Sequence, residues 1–230
     1  MKKKLIVLTG AGMSAESGIS TFRDSGGLWE KHRIEDVATP EGWAANPSLV
    51  LDFYNQRRKQ LLEVEPNLGH ILLAELENDF DVHIITQNVD NLHERAGSAN
   101  VTHLHGELMK VRSTGPGAEV FELDEKNISL HLGDKCPKGY QLRPHIVWFG
   151  EAVPEIENAA KIVKQADILV IIGTSLQVYP AAGLLHYAPY NIPVYLIDPN
   201  TISNLPSNIR TIKKGASEGV KELKKLLIQK

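Results

Sequence analysis

The sequence predicts an α/β fold, a doubly wound parallel sheet covered by helices, with a small second domain inserted into it. Three observations carry that prediction. Leu5 to Leu8, Val82 to Ile85, Ile168 to Ile172 and Val194 to Ile197 are apolar throughout rather than alternating, as strands buried on both faces by helices must be. Helical patterns separate these runs, and strand alternating with helix folds as a parallel sheet wound in both directions. A glycine-rich segment, Thr9-Gly10-Ala11-Gly12-Met13-Ser14-Ala15, follows the first run directly, where a Rossmann-like domain turns from its first strand into its first helix.

Composition narrows the class. A chain of 230 residues suffices for one large domain with a smaller appendage. Hydrophobic residues make up 42%, enough for a sizeable core, and a net charge of -3 offers no electrostatic footprint for nucleic acid. Met1-Lys2-Lys3-Lys4 before Leu5 to Leu8 has the outline of a leader, but four apolar residues are too few for its hydrophobic region and fit a buried first strand. No run reaches the length of a membrane span. The single cysteine, Cys136, excludes an internal disulfide and any zinc site built on several cysteines. A cytoplasmic protein without membrane or nucleic-acid partners is expected, and nothing in the sequence demands more than a monomer.

The elements follow in order. Asn67 to Leu76 after Pro66, and Glu155 to Gln165 after Pro154, read as helices; Ser217 to Leu227 sets Val220, Leu223, Leu226 and Leu227 on one stripe. Two segments interrupt this rhythm. Residues 32–66 contain a helix opening at Asn46-Pro47, with Asn46 as its N-cap and Pro47 in its first turn. Residues 106–145 hold what reads as a β-hairpin: Glu119 to Leu123, a turn at Asp124-Glu125-Lys126-Asn127, then Ile128 to Leu132, where apolar residues alternate with Ser129 and His131. These two segments are expected to form the small domain, leaving 1–31, 67–105 and 146–230 to the large one.

Gly10 to Ala15 has the form G-x-G-x-x-A. Such glycines let a pyrophosphate approach the backbone, and the N–H groups opening the next helix point toward it. By itself the pattern is equally a plain tight turn. A dehydrogenase would close a second strand with an acidic residue about 20 residues further on. Here the chain reads Ser20-Thr21-Phe22-Arg23-Asp24-Ser25-Gly26-Gly27-Leu28-Trp29 and holds no strand. A dinucleotide fits, but not in the dehydrogenase arrangement.

In open parallel sheets the ligand crevice lies beyond the carboxyl ends of the strands. Three such ends read Thr86-Gln87-Asn88-Val89-Asp90-Asn91, His103-Leu104-His105-Gly106 and Gly173-Thr174-Ser175. Together they bring amides, a carboxylate, hydroxyls and an imidazole to one side of the sheet, and an imidazole near neutral pKa suits a general base. His32, His83, His131 and His186 read as ordinary surface or core residues. His103 and His105 could pair on a metal, but no further cysteine or histidine stands at ligand spacing.

Gly10-Ala11-Gly12-Met13-Ser14-Ala15-Glu16-Ser17-Gly18-Ile19, Thr21-Phe22-Arg23, Thr86-Gln87-Asn88-Val89-Asp90, His103-Leu104-His105-Gly106, Val147-Trp148-Phe149-Gly150-Glu151 and Gly173-Thr174-Ser175 resemble the sirtuins in order and spacing, over nearly the whole chain. The resemblance implies an NAD-dependent protein-lysine deacylase in which NAD is a consumed co-substrate. NAD would lie along Gly10, Ala11, Gly12, Ser14, Ala15, Ile19, Thr21, Phe22, Arg23 and Trp29, with Ser14 and Arg23 near phosphate and ribose. Gln87 and Asn88 would contact the ribose on the nicotinamide side, Asp90 and Ile19 the carboxamide, and Gly173, Thr174 and Ser175 would complete the cradle. Asn88 and Arg23 join His105 as the implied catalytic set. The acyl oxygen attacks the ribose carbon as nicotinamide leaves, and His105 acts as base on a ribose hydroxyl, so that O-acyl-ADP-ribose results. An acylated-lysine peptide would add as a strand between Val147, Phe149, Gly150 and Glu151 on one side and Val178 and Tyr179 on the other.

Two departures from the family pattern stand out. Sirtuins usually carry structural zinc on two Cys-x-x-Cys pairs; here the place of the first falls at Arg112-Ser113 and only Cys136 stands near the second, so no zinc is expected and the hairpin is expected to replace it. Leu196 stands where an adenosine-contacting Asn is common. Asp198 or Asn200 would take part of that role, and Ala216 fits the family's last adenine contact.

The acyl group is addressed by the helix after Asn46. Val50, Tyr54, Arg57 and Leu61 recur at helical spacing on one face, and an arginine inside an apolar stripe needs an anion. That anion could be Glu63 or Asp52, or Arg57 could snorkel to solvent. Tyr-x-x-Arg on this helix resembles the bacterial class III desuccinylase and demalonylase branch, which implies that Tyr54 and Arg57 bind an acyl carboxylate, Arg through its planar fork, with Ala38 leaving the pocket open. Arg58, one step off that face, is expected to be solvated. The alternatives are a protein ADP-ribosyltransferase on the same fold, a non-catalytic NAD- or ADP-ribose-binding module and, weakest, a dehydrogenase.

Overall fold

The computed structural model describes residues 1–19, 32–174, 176, 178–200 and 208–228. Six parallel strands form the main sheet: β1 (Lys4–Thr9), β2 (Asp81–Thr86), β3 (Val101–His103), β7 (Ile168–Ile172), β8 (Val194–Ile197) and β9 (Ile209–Ile212), in the order β3-β2-β1-β7-β8-β9. The chain runs outward from β1 to β3, then returns to the other side of β1 for β7 and continues to β9. The winding therefore reverses between β1 and β7. This is the doubly wound α/β fold that the continuous apolar runs predict.

Those runs are continuous because both faces are covered. Leu5 and Val7 of β1 pack with Val170, Ile172, Tyr195 and Ile197 against α5 (Leu68–Glu75) and α8 (Ala216–Ile228). Ile6 and Leu8, between them in sequence, pack with Leu169, Ile171 and Leu196 against Ala159, Ala160 and Val163 of α7 (Ile156–Val163). Successive side chains of a strand point to opposite faces, so a strand covered twice must be apolar at every position. Asn67 caps α5 by accepting from Gly69 N at 2.9 Å and His70 N, while His70 Nδ1 accepts from Asn67 N at 3.3 Å, a reciprocal capping box. On α8 the buried stripe is narrower than predicted: Val220 and Leu223 are fully buried, but Leu226 is exposed.

A second, antiparallel sheet of order β5-β4-β6 is built from β4 (Gly106–Ser113), β5 (Val120–Glu122) and β6 (Leu142–Ile146). It packs against α4 (Pro47–Leu62), preceded by α2 (Ile34–Val37) and α3 (Pro40–Ala45). Asn46 caps α4 by accepting from Leu49 N at 3.1 Å, with Pro47 in the first turn. The short helices α1 (Gly12–Ala15) and α6 (Leu92–Arg95) follow β1 and β2.

Two expectations fail in this region. The predicted hairpin does not form: Val120 to Glu122 pair back onto β4, and Ile128 to Leu132 are not a strand. Asn55 of α4 explains why. Its Nδ2 donates to Leu130 O at 3.0 Å and its Oδ1 accepts from Leu130 N at 2.9 Å, so one side chain takes both backbone groups that a partner strand would have used. Arg58 is not solvated but fully buried. Its Nε donates to Leu108 O at 2.7 Å and its Nη1 to Asn55 Oδ1 at 2.8 Å and Ile128 O at 3.4 Å, which ties the helix to both the sheet and the irregular segment. Among the described residues, no helix is long and apolar enough to cross a membrane.

Candidate active site

The reversal of winding at β1 and β7 opens the crevice in which a doubly wound sheet binds its ligand. The glycine-rich loop sits there. Gly10 N donates to Ile172 O at 3.0 Å and Gly12 N to Gly173 O at 2.9 Å. A Cβ on Gly10 would stand 2.8 Å from Gly173 O, and one on Gly12 2.7 Å from the Cα of Gly173, itself at φ +60°. The two strand-end loops thus interlock by bare backbone, which is a demand for glycine independent of any ligand.

Beyond β2, three side chains form one chain of donors. Asn88 Nδ2 donates to Ser14 Oγ at 3.0 Å, and the Ser14 hydroxyl donates to Asp90 Oδ2 at 3.0 Å. All three are buried. Burial pushes the Asp90 pKa up, against the Leu92 N–H, Ser14, His103 and Arg57, which favour the carboxylate. Gln87 Nε2 donates to Thr174 Oγ1 at 3.2 Å, linking β2 to β7 across the β1 strand.

His105 has a defined tautomer. Its Nδ1 lies 3.0 Å from the Gln87 carbonyl oxygen, which can only accept, so Nδ1 carries the proton and Nε2 the lone pair. Burial lowers its pKa below the ordinary 6.5, with the Gln87 carbonyl opposing. A neutral imidazole with its lone pair at Nε2 is a base ready to accept a proton. Val147 N donates to His105 O at 2.9 Å, and Phe149 N to Ala38 O at 3.0 Å, which brings Val147, Phe149 and Ala38 to the same edge. Phe149, Val178 and Tyr179 are exposed. Glu151 is committed elsewhere: it accepts from Arg112 Nη2 and Arg143 Nη1 at 2.8 Å each, from Arg143 Nη2 at 3.0 Å and from Trp148 N at 2.8 Å.

On α4, Tyr54 is buried and its hydroxyl oxygen accepts from Trp148 Nε1 at 3.0 Å, leaving its own proton to be donated elsewhere. The Arg57 guanidinium lies 6.0 Å from the Phe53 and Tyr54 ring centroids. Burial pulls its pKa down while Tyr54 and Asp90 pull it up, so the helix face and the end of β2 share one electrostatic field.

The structure therefore brings Ser14, Gln87, Asn88, Asp90, His105, Gly173 and Thr174 together. Gly10, Ala11, Gly12 and Ala15 lie beside them on the loop and α1, and Ile19, beyond α1, packs against the cluster that holds Tyr54 and Trp148. At the far end, Asp198 is buried and its Oδ1 accepts from Asn200 N at 2.8 Å, while Ala216 opens α8. Leu196 is sealed in the core. Thr21, Phe22, Arg23, Trp29 and Ser175 lie outside the described residues. The site supplies hydroxyls, amides, a carboxylate and a base at one set of strand ends, a donor set that fits the ribose and carboxamide of a dinucleotide. Two contributors went unpredicted. Trp148 could have been found from its type, since a buried indole N–H needs an acceptor; Glu94, which meets His103 across nine residues, left no periodic signal. Among the described residues, no group of three or more His, Cys, Asp or Glu side chains could hold a metal ion.

Fold and site together define an α/β enzyme with a nucleotide crevice at its switch point. The model of the Sir2 family matches residues 10–180. An NAD-dependent protein deacylase of Bacteroides thetaiotaomicron is 64% identical over 230 residues, 98% of either chain, and one of Helicobacter pylori is 54% identical over 228 residues, 99% of this chain and 98% of that one. A crystal structure of a Sir2 homologue in complex with NAD superposes with a TM-score of 0.86 at 39% identity, covering 98% of this chain and 91% of that one. The chain belongs to the Sir2 family.

Proposed function

We propose that this enzyme is an NAD-dependent protein-lysine deacylase that removes acetyl and, preferentially, succinyl or malonyl groups, consuming NAD and one water and yielding the free lysine amine, nicotinamide and O-acyl-ADP-ribose. The lone pair on His105 Nε2, beside the Asn88–Ser14–Asp90 chain, is the observation that carries the chemistry. NAD, when bound, supplies the ribosyl centre that receives the acyl oxygen. Asn88 and Gln87 orient its ribose and Asp90 with Ile19 its carboxamide; Asp198, Asn200 and Ala216 take the adenine end, and Gly173 and Thr174 the middle. His105 removes the proton from a ribose hydroxyl and holds it as an imidazolium.

The acyl preference is supported by the face of α4. Tyr54 has its oxygen occupied by Trp148 and its proton to give, and Arg57 presents a planar fork. Together they suit an acyl carboxylate, with Ala38 at the pocket edge. The peptide backbone adds as a strand between Val147, Phe149 and Gly150 and the segment of Val178 and Tyr179. Glu151 serves that loop by bracing it on Arg112 and Arg143 rather than by binding substrate side chains.

The small domain needs no zinc in this reading. Ser113 donates to Cys136 Sγ at 3.3 Å, and both are buried, at the place where the family's cysteine pairs stand. Metal analysis of the purified protein should find no stoichiometric zinc.

The test is incubation with NAD and matched acetyl-, succinyl- and malonyl-lysine peptides, followed by mass spectrometry of peptide and nucleotide products. Faster removal of the acidic groups with O-acyl-ADP-ribose is expected. Removal of acetyl alone would overturn the pocket assignment. ADP-ribose attached to protein without acyl transfer would overturn the reaction.

A further inference from the structure

We propose that His103 is a positioning residue of the nucleotide site: bridging Glu94 and the Asn88 carbonyl as an imidazolium, it fixes the backbone that carries Asn88 and Asp90. The inference rests on the proposed roles of Asn88 and Asp90 and assigns a task to a buried ionisable group that the reaction itself does not use.

The two histidines at the end of β3 grip successive carbonyls. His105 Nδ1 meets Gln87 O at 3.0 Å, and His103 Nδ1 meets Asn88 O at 3.0 Å. They differ at the other nitrogen. His103 Nε2 lies 2.8 Å from Glu94 Oε1 of α6, with the histidine side chain 7% exposed. A carbonyl and a carboxylate can only accept, and a neutral imidazole has one N–H to give. Both contacts require both protons, hence a cation.

The surroundings sustain it. Burial opposes the charge, but the hydrogen bond and charge of Glu94, the charge of Glu107 and the Asn88 carbonyl together raise the His103 pKa above the ordinary 6.5. Glu107 on β4 is shared with Lys110 at 2.8 Å. Asp90, beyond β2, feels the His103 charge in the stabilising sense. His93 on α6 is buried with its pKa well below 6.5 and stays neutral.

Asn88 is consequently held at three points: its N–H on Thr86 Oγ1 at 3.0 Å, its carbonyl on His103 and its side chain on Ser14. Removing one proton from His103 breaks the set. The remaining N–H goes to the stronger acceptor, the Glu94 carboxylate, and the bare Nδ1 then faces the Asn88 oxygen. Alkaline pH should therefore loosen Asn88. Glu94→Gln should abolish that sensitivity, because the amide donates to Nε2 and leaves a neutral ring with its proton on Nδ1, still bonded to Asn88.

Two measurements on the full chain decide this. Nitrogen-15 NMR of the histidine rings reads protonation, with the Asn88 amide shift as the reporter of the clamp. The pH profile of kcat/KM for NAD, taken with whichever acyl peptide turns over, reads the consequence. The wild type should show His103 doubly protonated at neutral pH, the Asn88 shift following its titration, and kcat/KM falling about three- to tenfold across the same transition. Glu94→Gln should match the wild type below that transition within about twofold and lose the alkaline fall, whereas His103→Leu should carry the loss at every pH. A singly protonated His103 at neutral pH, an Asn88 shift that ignores its titration, or an alkaline fall retained in Glu94→Gln would each overturn the proposal. Absence of any NAD turnover would sink the deacylase reading, and the NMR titration would still decide the clamp.

Discussion

The six-stranded sheet and the three-stranded module reach order by different means. In the large sheet the central strands β1, β7 and β8 are covered on both faces, and their apolar side chains fill two continuous cores. Polar groups gather at the strand ends, where they line the crevice. The module has one small apolar cluster on Leu51, Val111 and Leu130, besides the face it shares with α4. It is closed by discrete polar clamps: Asn55 on Leu130, Arg58 on Leu108 and Ile128, Ser113 on Cys136, and Arg112 and Arg143 on Glu151. Polar side chains at the crevice bond chiefly to one another; polar side chains in the module tie one backbone segment to another. A buried charge is tolerated only when its partners are in place, and in the module those partners are the structure.

The contrast can be broken from either side. The largest effect is expected at the crevice: His105→Ala should lower kcat/KM by about two to four orders of magnitude with an unchanged melting temperature. Because burial lowers the His105 pKa, its base form persists on acidification, and the wild-type acid limb should fall below pH 6.5. An acid limb above that value, or a variant with wild-type turnover, would remove the base from this imidazole. Arg57→Met should reduce succinyl-lysine turnover by about one to two orders of magnitude and acetyl-lysine turnover far less, since charge-assisted hydrogen bonds are worth about 1.5–3 kcal/mol. Equal losses on both substrates would place Arg57 with the structural arginines. Arg58→Met, one residue on, should behave in the opposite way. It leaves buried carbonyls unsatisfied and should destabilise the fold by about 1–3 kcal/mol, read as a lower denaturation midpoint, while the ratio of succinyl to acetyl turnover stays as in the wild type. A change in that ratio would mean that Arg58 also reaches the acyl pocket.

Much of this was legible in the residues, and the failures are local. Apolar runs without alternation specify strands buried twice, whatever their neighbours, so the parallel sheet was predictable. Asn46-Pro47 announced a helix start because cap and first turn are chemistry between adjacent residues. The motif order placed Gln87, Asn88, His105 and Thr174 at strand ends on one side, since parallel strands all end there. The fate of Ile128 to Leu132 was not legible, because its alternation fits a strand equally well and the partner that claimed it, Asn55, lies far away in sequence.

Arg57 and Arg58 carry the same lesson. Sequence periodicity assigned the buried face to one and solvent to the other, but the packing of β4 against α4 buried Arg58 completely. Protonation is decided at the same level: His103 and His105 are alike in sequence, yet one meets two acceptors and the other a single carbonyl. The sequence by itself determined which elements form and which end of the sheet bears polar groups, because those depend on periodicity and adjacent residues. Only the tertiary structure decided which buried polar groups are satisfied and which remain available, because hydrogen bonding and desolvation are set by partners that no spacing encodes.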